Sequence, residues 1–392
     1  MKPIFKTLAV AAFTFATSLS AHAAPKQIVV VVAEGLNPQM IELGSSYLKY
    51  AAPDETAPTA LADFKSKAKA QMAPVDALNS LKSLLKNAGA AGWKTGLVTD
   101  GDLTQVAPLF YDLPTPGAPA ALALVNDVRA DFLGGGGRAA FGADLKNALV
   151  KAGGTALFDA DTFEANEGEL KGKTLSLQAE GPLSYAIDRD AATEAGLGDM
   201  ASLALQKLSE GDRPFLLVIH DALLGKAVVA HDTPAVFEQL RELDGIVSDL
   251  SAARDAKDKP ADMGVALLAT GSAEAPQWTT DDATARSNAF FVLSELPVSF
   301  SHAGQTLQGA TADKLTAFAT DEYKGWKLSE ADRAAILAGT LSPEAALRAS
   351  YEPTFALKYA PTAPDATLYA LGLDLNGDPI AALNAIALLP MK

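Results

Sequence analysis

The run Gln27-Ile28-Val29-Val30-Val31-Val32 constrains this chain more than any other segment. β-Branched side chains are stiff and suit extended backbone. A strand also points successive side chains to opposite faces, so an unbroken apolar run has to be covered on both. That pattern belongs to a central strand of a parallel sheet. Glu34-Gly35 follows it, and Asn37-Pro38 then reads as a helix start, with Asn as N-cap and Pro in the first turn; the helix is expected to reach about Tyr50. The alternation recurs. Val75–Ala88 carries Leu78, Leu81, Leu84 and Leu85 at helical spacing and leads to a strand at Thr95–Val98. Ala120–Val128 leads to Asp131-Phe132-Leu133 and a glycine turn at Gly134–Gly137, and Leu145–Ala152 leads to Thr155–Phe158. A helix capped by Asp199 runs to Leu208 ahead of Pro214–Ile219, and Asp232 caps Pro234–Ala253 ahead of Val265–Ala269. Leu368–Gly372 is a late strand. Helices alternating with apolar strands imply an α/β fold, a mostly parallel sheet with helices on both faces.

The rhythm breaks between Ala275 and Tyr359. Ala289–Leu293 and Pro297–Phe300 read as short strands, and Ser329–Leu337 and Pro343–Ala349 as helices capped by Ser329 and Ser342. Residues 275–359 are therefore expected to form an insertion or small subdomain within a single domain of residues 24–392. The Pro- and Ala-rich stretches Ala51–Ala60 and Asp112–Ala120 read as loops. Residues 1–23 read as a secretory signal: Lys2 and Lys6 are basic, an apolar stretch runs from Leu8 to about Leu19, and Ala21-His22-Ala23 is a cleavage pattern. The stretch is shorter than the ~20 residues that span a bilayer. The mature chain is thus expected in the periplasm or outside the cell, with no transmembrane segment. Its net charge of −15 becomes −17 once the positive charges of Lys2 and Lys6 leave, which argues against a nucleic-acid partner. There is no cysteine, so disulfides, thiolate metal sites and Cys nucleophiles are excluded.

Several segments, in order over most of the mature chain, resemble the alkaline phosphatase family. They are Ile28–Val32 with the turn Ala33-Glu34-Gly35, Lys94–Thr99 with Val106-Ala107-Pro108, Asp131–Arg138, Leu183–Arg189, His231–Pro234 with Glu242-Leu243-Asp244, and Tyr369–Gly372. The resemblance implies a three-layer α/β sandwich. It also implies a phosphomonoesterase with zinc and magnesium, in which a Ser or Thr attacks phosphorus and metal ions stabilise the attacking and leaving oxygens.

The ligand positions that the resemblance implies are mostly substituted. Glu34 stands where the family has a metal-bridging Asp, and the nucleophile position falls on Glu55 or Thr56. Gln105-Val106-Ala107-Pro108 replace the magnesium segment, with both ligand side chains gone, and Gly225 and Val229 stand where an Asp and a His bind zinc. His220 falls at a Glu position, Lys226 replaces a further His, and the Asp and His expected near Ala269–Ser272 and the His near Pro361–Ala363 are absent. Val, Ala and Gly offer a metal no side-chain lone pair, so no cofactor is expected. Signal removal leaves His220, His231 and His302 as the only imidazoles. Ser184 and Ser272 have no evident His partner, and Gly134–Gly137 lacks the continuation of a P-loop. The leading expectation is a pseudoenzyme with Glu34, His220, Asp221 and Lys226 lining a pocket at the strand ends, where an anionic or phosphoester ligand or a protein partner binds. The first alternative is a phosphoric monoester hydrolase with an altered site using Thr56, Glu34, His220 or Asp221. The second is a structural or assembly role in the envelope. Neither the ligand nor the oligomeric state is specified by the sequence.

Overall fold

The computed structural model describes residues 25–51, 59–74, 76–113, 115–165, 170–256, 262–323, 326–363, 365–375 and 377–386. The expected signal, residues 1–23, and the candidates Glu55 and Thr56 lie outside the described residues. The strands are β1 (Gln27–Ala33), β2 (Lys69–Ala73), β3 (Lys94–Asp102), β4 (Phe132–Gly136), β5 (Thr155–Leu157), β6 (Thr174–Leu177), β7 (Phe215–Asp221), β8 (Met263–Ala269), β9 (Glu274–Trp278), β10 (Leu357–Pro361) and β11 (Ala366–Leu371). Nine of them form one sheet in the order β2-β11-β8-β1-β7-β3-β4-β6-β5. β1 runs parallel to both its neighbours, β7 and β8. The parallel run continues through β3, β4, β6 and β5, while β11 lies antiparallel between β8 and β2.

The position of β1 follows from its side chains. Val29, Val31 and Ala33 enter the hydrophobic core on one face of the sheet, and Ile28, Val30 and Val32 enter the core on the other. Each buried Ile or Val contributes about 1.5–3 kcal/mol relative to exposure. No edge position would cover both sets. β7 divides in the same way, with Phe215, Leu217 and Ile219 on one face and Leu216 and Val218 on the other. The helix Pro38–Ala51 begins as expected, the Asn37 carboxamide oxygen accepting from the Met40 N–H at 2.9 Å.

Several local expectations are corrected. Val75–Ala88 is not one helix: Ala77–Ser80 and Leu84–Ala90 are separated by Ser83, whose φ of 72° is left-handed. Gly134–Gly136 continue β4 and are not a turn. A Cβ on Gly135 would come within 2.9 Å of the Thr99 side chain, so glycine here lets β4 lie close against β3. The helix Leu197–Ser209 starts at a Gly196 cap, and Asp199 sits inside its first turn, accepting from the Gly196 N–H at 2.8 Å. Neither strand expected at Ala289–Leu293 and Pro297–Phe300 forms: the first stretch is helical, and the second is a connection that enters a helix at Phe300. Ala283–Ser294 is capped by Asp282, and Phe300–Thr306 is capped by Ser299. Short apolar runs carry too little periodicity to separate strand from helix, and the caps decide. β2, β6, β9 and β10 have no counterpart in the sequence reading. β2 is a largely exposed edge strand, β6 buries polar Thr174 and Ser176, and β9 and β10 each contain proline. None shows an apolar run.

A third hydrophobic cluster gathers Phe290, Phe300, Phe318, Tyr323, Tyr351 and Phe355 from the region after β9, and meets Leu43, Tyr47 and Phe237 of the sheet-covering helices. Asp232 ties this cluster to the rest. Its buried carboxylate caps the helix Thr233–Asp255 through the Ala235 N–H at 3.5 Å, and accepts from the N–H groups of Phe300 at 3.1 Å and Ser301 at 2.8 Å. Beside it, Asp188 accepts from the Ser299 N–H at 2.7 Å and hydroxyl at 2.6 Å. Among the described residues no helix is long and apolar enough to cross a membrane. Asp232→Ala would strip two helix starts of their acceptor and leave buried N–H groups unpaired. A loss of about 2–4 kcal/mol in urea unfolding is expected; an unchanged midpoint would show that Asp232 is not the link.

Candidate functional site

Parallel strands present their C-terminal ends on one edge, which makes a crevice there the natural site. Register aligns these ends: Ala33 lies opposite both Asp221 and Ala269, and Thr99 opposite His220. Glu34 leaves β1 with its N–H bonded to the Asp221 carbonyl at 2.9 Å. Gly35 turns at a φ of 76°, its N–H donating to the Thr270 hydroxyl at 3.1 Å.

A hydrogen-bonded chain runs from the interior to the crevice. The Gly101 N–H donates to Thr99 Oγ1 at 3.0 Å, Thr99 Oγ1 lies 3.1 Å from His220 Nδ1, and His220 Nε2 lies 2.8 Å from Glu34 Oε1. One assignment satisfies every group: the Thr99 hydroxyl donates to Nδ1, and Nε2–H donates to Glu34. Phe110 packs edge-on against the imidazole, with centroids 5.8 Å apart. Thr99 and His220 are fully buried, whereas the Glu34 side chain is 36% exposed. Glu34 is therefore the member of this chain that a ligand would meet.

Behind the chain lies a buried carboxyl pair, Asp100 and Asp221, from the ends of β3 and β7. Asp100 accepts from the N–H groups of Ala222 at 2.7 Å and Leu223 at 3.3 Å, and from Gln239 Nε2 at 3.3 Å. Asp221 accepts from the Leu224 N–H at 2.9 Å. The two carboxyls also hydrogen-bond one another. Burial, followed by the charge of Asp221, pushes Asp100 well above the usual carboxylate range, and burial pushes Asp221 up to about 7. Both shifts favour the protonated carboxyl, so the pair is set to keep protons to a higher pH than free carboxyls do. Next to it, the Arg189 guanidinium grips Glu242 at 2.6 and 3.1 Å, and Glu242 also accepts from the Leu197 N–H at 3.1 Å. Asp244, two residues further along the helix Thr233–Asp255, accepts from the N–H groups of Ala60 and Leu61 at the start of the helix Ala60–Lys67.

The structure brings Glu34, His220 and Asp221 together. Lys226 sits on the helix Leu223–Val229 with an exposed side chain, and among the described residues nothing pairs with its ammonium. His231 is elsewhere: it stacks on Tyr359 with centroids 4.0 Å apart and contacts Glu274 at 2.9 Å, holding the β9–β10 pair. Ser184 bonds Glu194, and among the described residues no imidazole bonds it. Thr99 and Asp100 escaped the sequence reading, although the polar ending Thr99-Asp100 of an otherwise apolar predicted strand was an available signal.

These residues do not fit the zinc and magnesium set that the resemblance implies. Among the described residues no group of three or more His, Asp or Glu side chains could hold a metal ion. His220 Nε2 is engaged by Glu34, and the Asp100 and Asp221 oxygens face backbone N–H groups. Gly225 brings no donor, and Val229 is 82% exposed.

The carboxyl pair makes a signed prediction. Between about pH 4, where a free carboxyl ionises, and about pH 7 the folded pair keeps a proton that the unfolded chain releases. Stability is fully present below that window and is lost as pH rises through it, by a few kcal/mol in order of magnitude. Burial raises Asp188 and Asp244 in the same direction, so the comparison with a variant is the test. Urea midpoints at pH 5 and pH 8 are expected to differ in the wild type and to differ much less in Asp221→Asn. Equal pH dependence in both proteins would show that Asp221 is not the source of it.

No family model matches the chain. Over 173 residues it is 24% identical to alkaline phosphatase 4 of Bacillus subtilis (strain 168), a stretch covering 42% of this chain and 37% of that protein. The aligned stretch is thus well under half of that relative's length. The fold matches the alkaline phosphatase of Thermus thermophilus with a TM-score of 0.73 at 17% identity, covering 93% of this chain and 90% of the other. It matches the cold-active alkaline phosphatase of Shewanella sp. with a TM-score of 0.71 at 14% identity, covering 93% and 100%. The chain thus has the fold of these alkaline phosphatases and shares a stretch of sequence with one of them, at low identity throughout.

Proposed function

We propose that this protein is a non-catalytic member of the alkaline phosphatase-like group, a pseudoenzyme exported through its N-terminal signal, whose strand-end crevice binds a ligand or a partner. The observation that carries this reading is the state of the potential donors. Glu34, His220, Asp100 and Asp221, the donors gathered at the strand ends among the described residues, are each already bonded to a neighbour within the fold. Without divalent charge, the Glu34 carboxylate opposes a phosphate dianion, and hydrolysis lacks the charge stabilisation that it requires.

Lys226 supports one version of the binding role. Its exposed ammonium, on the helix beside Glu34, is a cation that an anionic group or phosphoester would meet first. The hydrolytic alternative has one observation in its favour: Glu34, oriented by His220, is placed as a general base. Its proposed nucleophile, Thr56, lies outside the described residues.

Purified mature protein is expected to carry no stoichiometric zinc or magnesium by elemental analysis. It is also expected not to turn over an activated phosphoester when both metals are supplied. Bound zinc, or turnover abolished by a chelator or by Thr56→Ala, would overturn the non-catalytic reading. Calorimetry with inorganic phosphate tests the anion version separately: binding heat is expected from the wild type and none from Lys226→Ala, and equal heats in the two would reject a role for Lys226.

A further inference from the structure

We infer that Gly225 is the residue that closes the metal position, because backbone stands there in the space that a ligand side chain would need. This inference rests on the non-catalytic reading and supplies a steric cause for it. A Cβ on Gly225 would lie 2.9 Å from Glu34 Cβ and 3.2 Å from both the carbonyl carbon and the carbonyl oxygen of Glu34. Reciprocally, a Cβ on Gly35 would lie 2.8 Å from Gly225 Cα. These are contacts with backbone and with a Cβ fixed directly to it. Neither partner offers the far end of a flexible side chain that could swing away.

Both backbones are also anchored. On one side, Glu34 and Gly35 continue a strand buried on both faces and are held by the Asp221 carbonyl and the Thr270 hydroxyl. On the other, the start of the helix Leu223–Val229 is held through the N–H groups of Ala222 and Leu223 on Asp100 and of Leu224 on Asp221. A side chain at position 225 has to drive apart two elements that the sheet and the carboxyl pair fix. Position 229, four residues on and therefore on the same helical face, carries a Val that is 82% exposed, so a His is accommodated there without strain. The lost metal set is thus blocked at one of these two positions and open at the other. Adding donors by substitution is not sufficient to recover it.

Four variants of the full mature chain separate these effects: Gly225→Ala, Gly225→Asp, Val229→His, and Gly225→Asp with Val229→His. Thermal unfolding and calorimetric titration with zinc chloride and with magnesium chloride are the measurements. Gly225→Ala is expected to lower the unfolding midpoint by several degrees, and Val229→His to leave it within about a degree, as surface substitutions do. None of the folded variants is expected to bind zinc stoichiometrically. A Gly225→Ala midpoint equal to wild type, or a double variant that binds one zinc with an undiminished midpoint, would overturn the inference. Should the Asp variants fail to fold, Gly225→Ala alone decides, because it adds only the Cβ. Zinc bound by the wild type would instead reject the non-catalytic reading itself, so the two failures are distinguishable.

Discussion

The two-sided burial of β1 is the constraint on which the rest of the structure depends. A strand with Ile28, Val30 and Val32 in one core and Val29, Val31 and Ala33 in the other can sit only in the middle of a covered sheet. Parallel neighbours β7 and β8 then deliver His220, Asp221 and Thr270 to the same edge as Glu34. The crevice is therefore a by-product of how an apolar segment is hidden from water. Its inner wall is as rigid as the sheet, because every residue of it sits at or just beyond a paired strand end.

Within that wall, charge is managed by protons and fixed dipoles. Asp100 and Asp221 are pushed toward their protonated forms and receive backbone N–H groups, Arg189 pairs with Glu242, and His220 hydrogen-bonds Glu34. Buried carboxylates are costly unless compensated, and a divalent cation is one general way to compensate them. Here the protein compensates them from its own groups. Acceptors already saturated by short contacts in a buried setting have little to gain from a metal ion, which would first have to displace those donors. On the proposed reading, the pairing that stabilises the crevice also leaves it few free donors for a metal.

The alternation of apolar strands and helices was legible because burial on two faces, or on one, leaves a period in the residues themselves. Asn37, Asp232, Ser329 and Ser342 were legible as caps because an N-cap works through its own backbone neighbours. The strands β2, β6, β9 and β10 were not, since edge exposure, buried Thr174 and Ser176, or prolines leave no apolar signature. Glu34, His220 and Asp221 were placed at the strand ends by family likeness. Their partners Thr99 and Asp100 went unnoticed because hydrogen bonds such as that between Thr99 and His220 join residues distant in sequence.

What the sequence by itself determined is the class of fold, the central place of β1, and the absence of donor side chains at positions such as Gly225 and Val229. These depend on residue type and local period, which require no knowledge of neighbours. Only the tertiary structure decided what fills the resulting space: the buried Asp100–Asp221 carboxyl pair, an imidazole against Glu34, and the Gly225 backbone packed on the Glu34–Gly35 turn. The physical reason is that hydrogen bonds and close contacts act over a few ångströms between segments nearly two hundred residues apart, and only folding brings those segments within range.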